Sequence, residues 1–324
     1  MAETDEDLER GGDPHWERDT IRHLAAASLA EQRRARRWGI LFKSLVLLYL
    51  FAVLFAVLNV GPLVGGGRDA EGPHTALVEV EGMIAASSDA NADRLVTGLR
   101  NAFESEGTRA VIVRINSPGG SPVQAGLVYD EIRRLRAQHP DTPVYAVATD
   151  LCASGGYYIA AAADRIYANR ASMVGSIGVR FASFGFVGAM DKLGVTRRMI
   201  TAGDNKAMLD PFLPQEREEV AHIERMVDAI HAQFIAAVRE GRGERLAGAD
   251  PELFSGLVWT GKQAVEKGLV DDLASASYVA REVVGAERIV DFTPRRDLLE
   301  RFSERVGAAL ADTLRAAALT PAWR

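Results

Sequence analysis

Two residue types are scarce in this sequence, and their scarcity narrows the chemistry open to it. Cysteine occurs once, as Cys152, which excludes an intramolecular disulfide and a cysteine-rich zinc site. Lysine occurs five times, beside 33 arginines. Arginine does not lose its proton in a protein, whereas a desolvated lysine can. An amine base must therefore come from the chain terminus or from one of five side chains: Lys43, Lys192, Lys206, Lys262 and Lys267.

The overall charge argues against a nucleic-acid partner. The 324 residues carry a formal net charge of -6 at pH 7. General nucleic-acid binding needs a concentrated basic face, and the arginines of this acidic chain are scattered. The 48% share of hydrophobic residues and the 25% share of charged residues are ordinary for a folded protein with a sizeable core.

One long stretch without charge predicts a membrane anchor. Ser44–Leu58 contains no charged residue, and with its apolar flanks the span reaches from residue 38 to residue 64, long enough to cross a bilayer as one helix. Basic residues precede this span and three glycines follow it, so the positive-inside rule places the N-terminus in the cytoplasm and the rest of the chain outside. A cleaved secretory signal is the alternative, but the span begins late and lacks a convincing cleavage site.

Composition divides the rest of the chain into four parts. Residues 1–37 are polar and charge-dense, which indicates a cytoplasmic tail. Residues 65–74 are rich in glycine and indicate a flexible linker. A folded domain is predicted over residues 75–290. Residues 291–324 indicate a C-terminal tail with amphipathic spacing. This tail either contacts a partner or the membrane, or it is a simple surface helix.

Strands and helices are predicted to alternate through the folded domain. Apolar runs indicate buried strands, and a 3.6-residue spacing indicates helices. This alternation predicts an α/β fold with a largely parallel sheet, whose chemistry lies just beyond the carboxyl ends of the strands. The predicted strands cover residues 76–80, 110–115, 144–148, 165–168, 174–179 and 196–200, and the predicted helices cover residues 92–106, 123–136, 214–239 and 260–268.

The stretch TDLCASGGYYIAAAAD, residues 149–164, contains a candidate nucleophile. Ser154 is followed by two glycines and a run of small residues that favours a helix. Its hydroxyl can therefore lie on a tight turn beside backbone N–H groups and the helix dipole. The alternative is a small-residue helix packed closely against a sheet. Cys152 is expected to be a buried small residue rather than a second nucleophile.

A serine hydroxyl needs a base to take its proton, and the six histidines are poorly placed for that task. They lie in the N-terminal tail, the linker, a surface turn and the helix predicted over residues 214–239. Lys206 lies in a polar loop whose small and apolar neighbours could desolvate the amine and favour its neutral form. The alternative for Lys206 is an ordinary solvated surface lysine.

Two further segments could complete a serine–lysine site. In NSPGG, residues 116–120, a rigid proline precedes Gly119 and Gly120, whose backbone N–H groups can approach a developing oxyanion. The alternative is a plain strand-to-helix turn. Ser176, in the run VGSIGV, either donates to or orients the lysine or is a buried structural serine. Such a site needs no metal and no cofactor.

Five motifs in order resemble the bacterial signal peptide peptidase A family, also called protease IV, in its short membrane-anchored form. They are INSPGGSPVQAG, ATDLCASGGYYIAAAAD, VGSIGV, the loop lysine and WTGKQAVEKGLVD, and the resemblance covers residues 75–285. It implies the fold of the ClpP/crotonase superfamily, with a repeated β-β-α core, and catalysis by a Ser-Lys dyad. Carried over by motif, the roles are Ser154 as nucleophile, Lys206 as general base, Ser176 as the residue that positions the lysine, and the N–H groups around Gly119 and Gly120 as the oxyanion hole.

The resemblance also implies partners and a location. Short members of the family resemble ring- or dome-shaped homo-oligomers in which neighbouring subunits supply the serine and the lysine, and the family degrades signal peptides left in the membrane. This implies the bacterial inner membrane, with the peptidase domain on the periplasmic side and hydrophobic peptides as substrates. Three other functions stay open: a membrane protease acting on stomatin-like partners, a crotonase-type acyl-CoA enzyme and a non-catalytic membrane scaffold.

Overall fold

The chain divides into two units, Met1–Val64 and Gly65–Arg324. The computed structural model describes residues 33–34, 36–53, 55, 72–246 and 251–294. In the first unit, helix α1 spans residues 36–53. Among the helices in the described ranges, none has both the length and the apolar character needed to span a bilayer. The predicted span is described only in part, because residues 54 and 56–64 lie outside those ranges.

An eight-stranded sheet forms the centre of the second unit. The strand order is β6-β5-β3-β2-β1-β8, with β4 beside β3 and β7 beside β4. Strands β5 and β6 pair antiparallel, and the other pairs are parallel, so the expected α/β fold with a largely parallel sheet is confirmed. The strands are His74–Glu81 (β1), Thr108–Ser117 (β2), Val144–Ala153 (β3), Arg165–Ala168 (β4), Met173–Gly175 (β5), Val258–Thr260 (β6), Asp272–Leu273 (β7) and Ile289–Asp291 (β8).

Helices connect the strands and cover both faces of the sheet. Thr260 begins its helix with a reciprocal capping box to Gln263, as the sequence predicts for that position. The helices of the second unit are Ala92–Glu104 (α2), Pro122–Gln138 (α3), Gly155–Ala160 (α4), Val187–Leu193 (α5), Arg217–Arg242 (α6), Gly261–Glu266 (α7) and Ala276–Tyr278 (α8). Short 3₁₀ turns lie at Gly243–Arg245 and Pro251–Phe254, and a π-helical turn, Val279–Val284, follows α8.

Burial on both faces explains why the strands are continuous apolar runs. On one face, side chains such as Ile115 pack with buried residues of α2, α3, α4 and α6, among them Leu95, Ile132 and Tyr157. The other face packs Ile112 and its neighbours against α8 and the π-helical turn. A strand stretch buried on both sides favours apolar residues at successive positions, as in residues 110–113 of β2, whereas Arg114 of the same strand is only half-buried.

Strand β3 positions the segment that carries Ser154. Its first half, Tyr145–Ala148, pairs with β4, and its last residues, Leu151–Ala153, pair with β5. The same end of β3 lies beside the end of β2, where Ser117 aligns with Cys152. Ser154 therefore follows β3 at the edge of the sheet where the ends of β2 and β5 lie on either side of that strand.

Two predicted strands differ from the structure. The strand predicted over residues 174–179 ends at Gly175, because Ser176 adopts a positive φ of 52° that a sheet ladder does not accommodate. Residues 196–200 form no strand at all. This predicted strand is wrong: the segment is largely solvent-exposed and pairs with no strand in the described part of the chain.

Candidate active site

Ser154 lies in a strained turn between β3 and α4. Its backbone has φ 52° and ψ -120°, values that a residue with a side chain rarely adopts. The turn is held from both sides, because the Ser154 N–H donates to the Gly175 carbonyl at 2.8 Å and its carbonyl accepts the Tyr158 N–H at 2.9 Å. The side chain is half-buried, and its hydroxyl makes no hydrogen bond to a described residue. No side chain or backbone group in the described ranges therefore occupies this hydroxyl.

The two glycines after Ser154 allow the nucleophile turn to pack against the NSPGG turn. A Cβ on Gly155 would lie 3.3 Å from the backbone nitrogen of Gly120, and a Cβ on Gly156 would lie 3.2 Å from the carbonyl oxygen of Ser117. Helix α4 begins at Gly155, so its first backbone N–H groups have no partner within the helix. The first of these donors belongs to Gly155, the residue that directly follows Ser154.

The NSPGG turn leaves one of its two glycine N–H groups available. Ser117 donates its hydroxyl to the Gly82 carbonyl at 2.6 Å and accepts the Gly119 N–H at 3.1 Å, so the Gly119 donor is occupied. Ile84 holds the turn by donating to the Gly119 carbonyl at 2.9 Å. The Gly120 N–H has no partner among the described residues. Gly120, with Gly155 across the gap, is therefore better placed than Gly119 to hold an oxyanion.

Ser117 is a residue of this site that the sequence analysis missed, whereas the N–H groups of the glycines after Ser154 were expected beside its hydroxyl. Ser117 stands inside the NSPGG motif, and Gly155 directly follows the candidate nucleophile, so both lay within motifs already recognised. The sequence analysis did not predict that the Gly119 N–H is already bonded, because this depends on a side-chain hydrogen bond that no spacing rule predicts.

Strand β5 places Ser176 next to Ser154. Ala153 aligns with Gly175 in the β3–β5 pair, so the two serines follow aligned strand ends. Both have φ 52°. The Ser176 N–H donates to the Leu257 carbonyl at 2.7 Å, and its hydroxyl has no hydrogen-bond partner in the described ranges. The structure thus brings together two of the predicted site residues.

The structure does not bring Lys206 into hydrogen-bond contact with either serine. Lys206 lies in a compact turn, with its N–H bonded to the Gly203 carbonyl at 3.1 Å. Its side chain is exposed and forms no hydrogen bond or ion pair with a residue that the structure describes. The desolvation expected from its neighbours is therefore not present in the single chain.

Residues that follow Lys206 in the sequence make the contacts that hold its loop in place. Asp210 pairs with Arg197 at 3.0 Å and accepts the Phe212 N–H at 2.9 Å. Leu209, which has a positive φ of 56°, donates its N–H to a carboxylate oxygen of Glu219 on α6 at 3.2 Å. These contacts hold the loop in place, although the Lys206 amine pairs with no residue in the described ranges.

Cys152 is buried as predicted, and burial raises the pKa of its thiol to about 12. A thiol that stays protonated is a poor nucleophile, so Cys152 does not compete with Ser154. In the part of the chain that the structure describes, no three histidine, cysteine, aspartate or glutamate side chains are grouped to hold a metal ion.

Known sequences similar to this chain include several proteases. The profile of peptidase family S49 matches residues 136–288, a range that contains Ser154, Ser176 and Lys206. A putative protease of Synechocystis is 32% identical over 200 residues, which are 62% of this chain and 69% of that protein. A putative signal peptide peptidase of Enterococcus faecium is 30% identical over 224 residues, which are 67% of this chain and 64% of that protein.

Another relative carries a different name. A Na(+)/H(+) antiporter of Brucella melitensis is 45% identical over 210 residues, which are 64% of this chain. The chain spans only 28% of the length of that relative, whose name describes the whole protein. Among solved structures, a membrane-bound stomatin-specific protease overlaps 63% of this chain and 80% of its own at 16% identity; its TM-score of 0.38 is too low to support an argument about fold or function.

Proposed function

The chain belongs to peptidase family S49, and we propose that it is a serine endopeptidase with a Ser154–Lys206 dyad. The observation that carries the proposal is the setting of Ser154, a strained turn with a free hydroxyl next to the unbonded N–H groups of Gly120 and Gly155. Strain of this kind clusters at active sites, where the surrounding structure maintains it. Membership of a peptidase family favours this function over an acyl-CoA enzyme or a scaffold.

The proposed reaction is acyl transfer through an acyl-enzyme. The neutral amine of Lys206 takes the proton of the Ser154 hydroxyl, and Oγ attacks the carbonyl carbon of the peptide. The N–H groups of Gly120 and Gly155 stabilise the resulting oxyanion. As the C–N bond breaks, the Lys206 ammonium returns its proton to the leaving amine. The Lys206 amine then deprotonates a water molecule, whose oxygen attacks the acyl carbon. The bond between the acyl group and Oγ breaks, and Oγ takes the proton from Lys206, which restores Ser154.

The dyad is proposed to form between two copies of the chain. Helix α6 holds the Lys206 loop through Glu219 and the segment after Ser176 through His231, by hydrogen bonds of 3.2 Å each. These two residues are twelve positions apart, about 18 Å along the helix axis. This spacing and the unpaired, exposed Lys206 support a site in which a neighbouring subunit supplies the lysine.

The segment around α5 supports the same oligomer. Helix α5 buries none of its residues in the single chain. Several large apolar side chains on and around it are exposed, and exposed apolar side chains concentrated in one segment favour an interface. These residues are Phe181, Phe184, Phe186, Leu193, Val195 and Ile200. A homo-oligomer would cover them and would also desolvate Lys206.

The substrates and the location are proposed from the family resemblance and the apolar stretch. A relative named as a putative signal peptide peptidase and the motif order support hydrophobic peptides, including cleaved signal peptides, as substrates. The uncharged residues 44–58 support an anchor over residues 38–64 in the bacterial inner membrane, with residues 65–324 on the periplasmic side. A reporter enzyme fused after residue 324 tests the topology. Reporter activity only in the cytoplasm would contradict it.

The dyad is tested by hydrolysis of a fluorogenic hydrophobic peptide by the full chain in detergent. We expect Ser154→Ala and Lys206→Ala each to abolish hydrolysis, whereas Lys262→Ala, a change at an exposed lysine of α7, leaves it intact. Activity of the unaltered protein should rise toward alkaline pH, because the base must be neutral. Full activity in Lys206→Ala would show that the base is another group.

Mixing the two inactive variants tests the shared site. The Ser154→Ala chain keeps its lysine and the Lys206→Ala chain keeps its serine, so each lacks what the other supplies. If the dyad forms between subunits, co-refolded mixtures recover part of the activity. If mixtures at matched oligomeric state stay inactive, both groups act within one chain.

A further inference from the structure

We propose that His231 is a positioning residue for the site, acting through a hydrogen bond to the backbone directly after Ser176. This inference rests on the proposed function. The sequence analysis placed His231 in the helix predicted over residues 214–239 and found none of the histidines well placed to act as a base. The structure places its imidazole against a segment 54 residues earlier in the sequence. No step of the proposed chemistry uses His231 as an acid or a base.

The contact specifies which ring nitrogen carries the proton. His231 Nε2 lies 3.2 Å from the carbonyl oxygen of Ile177. A carbonyl oxygen only accepts, so Nε2 must donate, and the proton on Nε2 is present in both the neutral and the charged ring. The Ile177 side chain is fully buried, so this residue is anchored by its side chain and by its carbonyl together.

The anchored carbonyl belongs to the segment that holds the nucleophile turn. Ile177 directly follows Ser176, and Gly175 accepts the N–H of Ser154 at 2.8 Å. Strand β5 ends at Gly175, and beyond it the Ser176 N–H keeps one backbone hydrogen bond, to the Leu257 carbonyl. Ser176 has a positive φ, and a strained conformation persists only when contacts on both sides maintain it. Leu257 supplies one such contact, 2.7 Å from the Ser176 nitrogen, and His231 supplies the other.

Helix α6 can serve as the fixed reference because it is packed directly on the nucleophile helix. Phe234, one turn after His231, stacks on Tyr158 of α4 with ring centroids 4.9 Å apart. Near the end of α6, Gly241 has no side chain and packs against the Ala161 carbonyl at the end of α4. One rigid helix therefore contacts α4 through apolar packing and the Ser176 turn through His231. The bond from His231 sets the position of Ser176 relative to Ser154.

Two substitutions of similar size separate the hydrogen bond from the volume of the ring. The amide nitrogen of glutamine lies as many bonds from Cβ as Nε2 of histidine does, whereas that of asparagine matches Nδ1. We expect His231→Asn in the full chain to lower kcat about tenfold with little change in KM, because misplacement of a reacting group mainly slows the chemical step. His231→Gln should retain kcat within about twofold, since its donor reaches Ile177. His222→Asn, at an exposed position of the same helix, serves as the control.

Amide hydrogen exchange of the peptide covering residues 174–179 gives a second readout that does not depend on activity. Exchange should accelerate in His231→Asn and stay unchanged in His231→Gln, at equal thermal stability of the two variants. Equal loss of kcat in both variants, equal retention in both, or faster exchange with unchanged kcat would overturn the proposal. If Ser154→Ala were still an active peptidase, the proposed function would fail, whereas the exchange measurement would still decide whether His231 holds the turn.

Discussion

The substitution Gly119→Ala tests whether the NSPGG turn is shaped by contact with the nucleophile. Gly119 has φ 93°, and an added Cβ would lie 2.6 Å from the Gly155 nitrogen, 2.7 Å from the Ser154 Cβ and 2.9 Å from the Ala153 carbonyl oxygen. Non-bonded carbon atoms normally approach to about 3.5 Å. The methyl group must therefore move the two turns apart by roughly 0.5–1 Å.

Two effects add in the expected loss of stability. A residue with a side chain at positive φ is strained by about 1–2 kcal/mol. Overpacking a tight contact adds about 1–3 kcal/mol. The free energy of unfolding should therefore fall by roughly 2–5 kcal/mol in Gly119→Ala. The displacement of Ser154 relative to the Gly120 N–H should also lower kcat on the order of 100-fold, because a shift near 1 Å has that effect on a positioned reacting group.

Gly285→Ala is the matched control. Gly285 has φ 72° at the end of the π-helical turn, and an added Cβ there has no atom within 4 Å. It carries the strain without the overlap, so we expect a loss of about 1 kcal/mol and an unchanged kcat. Urea unfolding followed by circular dichroism gives the stabilities, and peptide hydrolysis gives kcat. Equal losses of stability in the two variants, or full kcat in Gly119→Ala, would refute the reasoning.

Two carboxylates paired with arginines away from Ser154, those of Glu131 and Asp271, predict how stability responds to acid and to substitution. The hydrogen bond from Arg134, opposed by burial and assisted by Arg100, lowers the pKa of Glu131 to about 2 from 4.5. Because the folded pKa is the lower one, the stabilisation is present above about pH 4.5 and is lost as the pH falls toward 2. Glu131→Gln should lower the free energy of unfolding by roughly 1 kcal/mol at pH 7, a modest loss because both arginines are about half exposed. In urea unfolding, the free energy of unfolding of this variant should also fall less steeply below pH 4.5. A fall parallel to that of the unaltered protein would contradict this. The buried Arg242 donates to Asp271 at 2.7 Å. Arg242→Met removes one partner of this pair, so it should reduce the free energy of unfolding by about 3 kcal/mol. A loss below about 1 kcal/mol in urea unfolding would contradict this prediction.

The sequence alone determined the features that depend on neighbouring residues. Alternation indicated β1, apolar runs indicated β2 and β3, and helical spacing indicated α2, α3 and α6, because burial of a strand or of a helix face leaves a trace in the order of apolar residues. The turn at Ser154 was also readable, since two glycines and small residues after a strand permit few other arrangements. The five ordered motifs indicated the peptidase family, and the comparisons with known proteins confirm it.

Only the tertiary structure decided how these local features combine. Pairing of β3 with β5 put Ser176 beside Ser154, and the Ser117 hydroxyl took the Gly119 N–H and left that of Gly120 available. The hydrogen bond from His231 joins two segments that the sequence gives no reason to pair. Such contacts depend on how whole helices and strands pack against the core. A hydrogen bond needs two atoms within about 3 Å of each other, and local composition does not specify which distant atoms come that close.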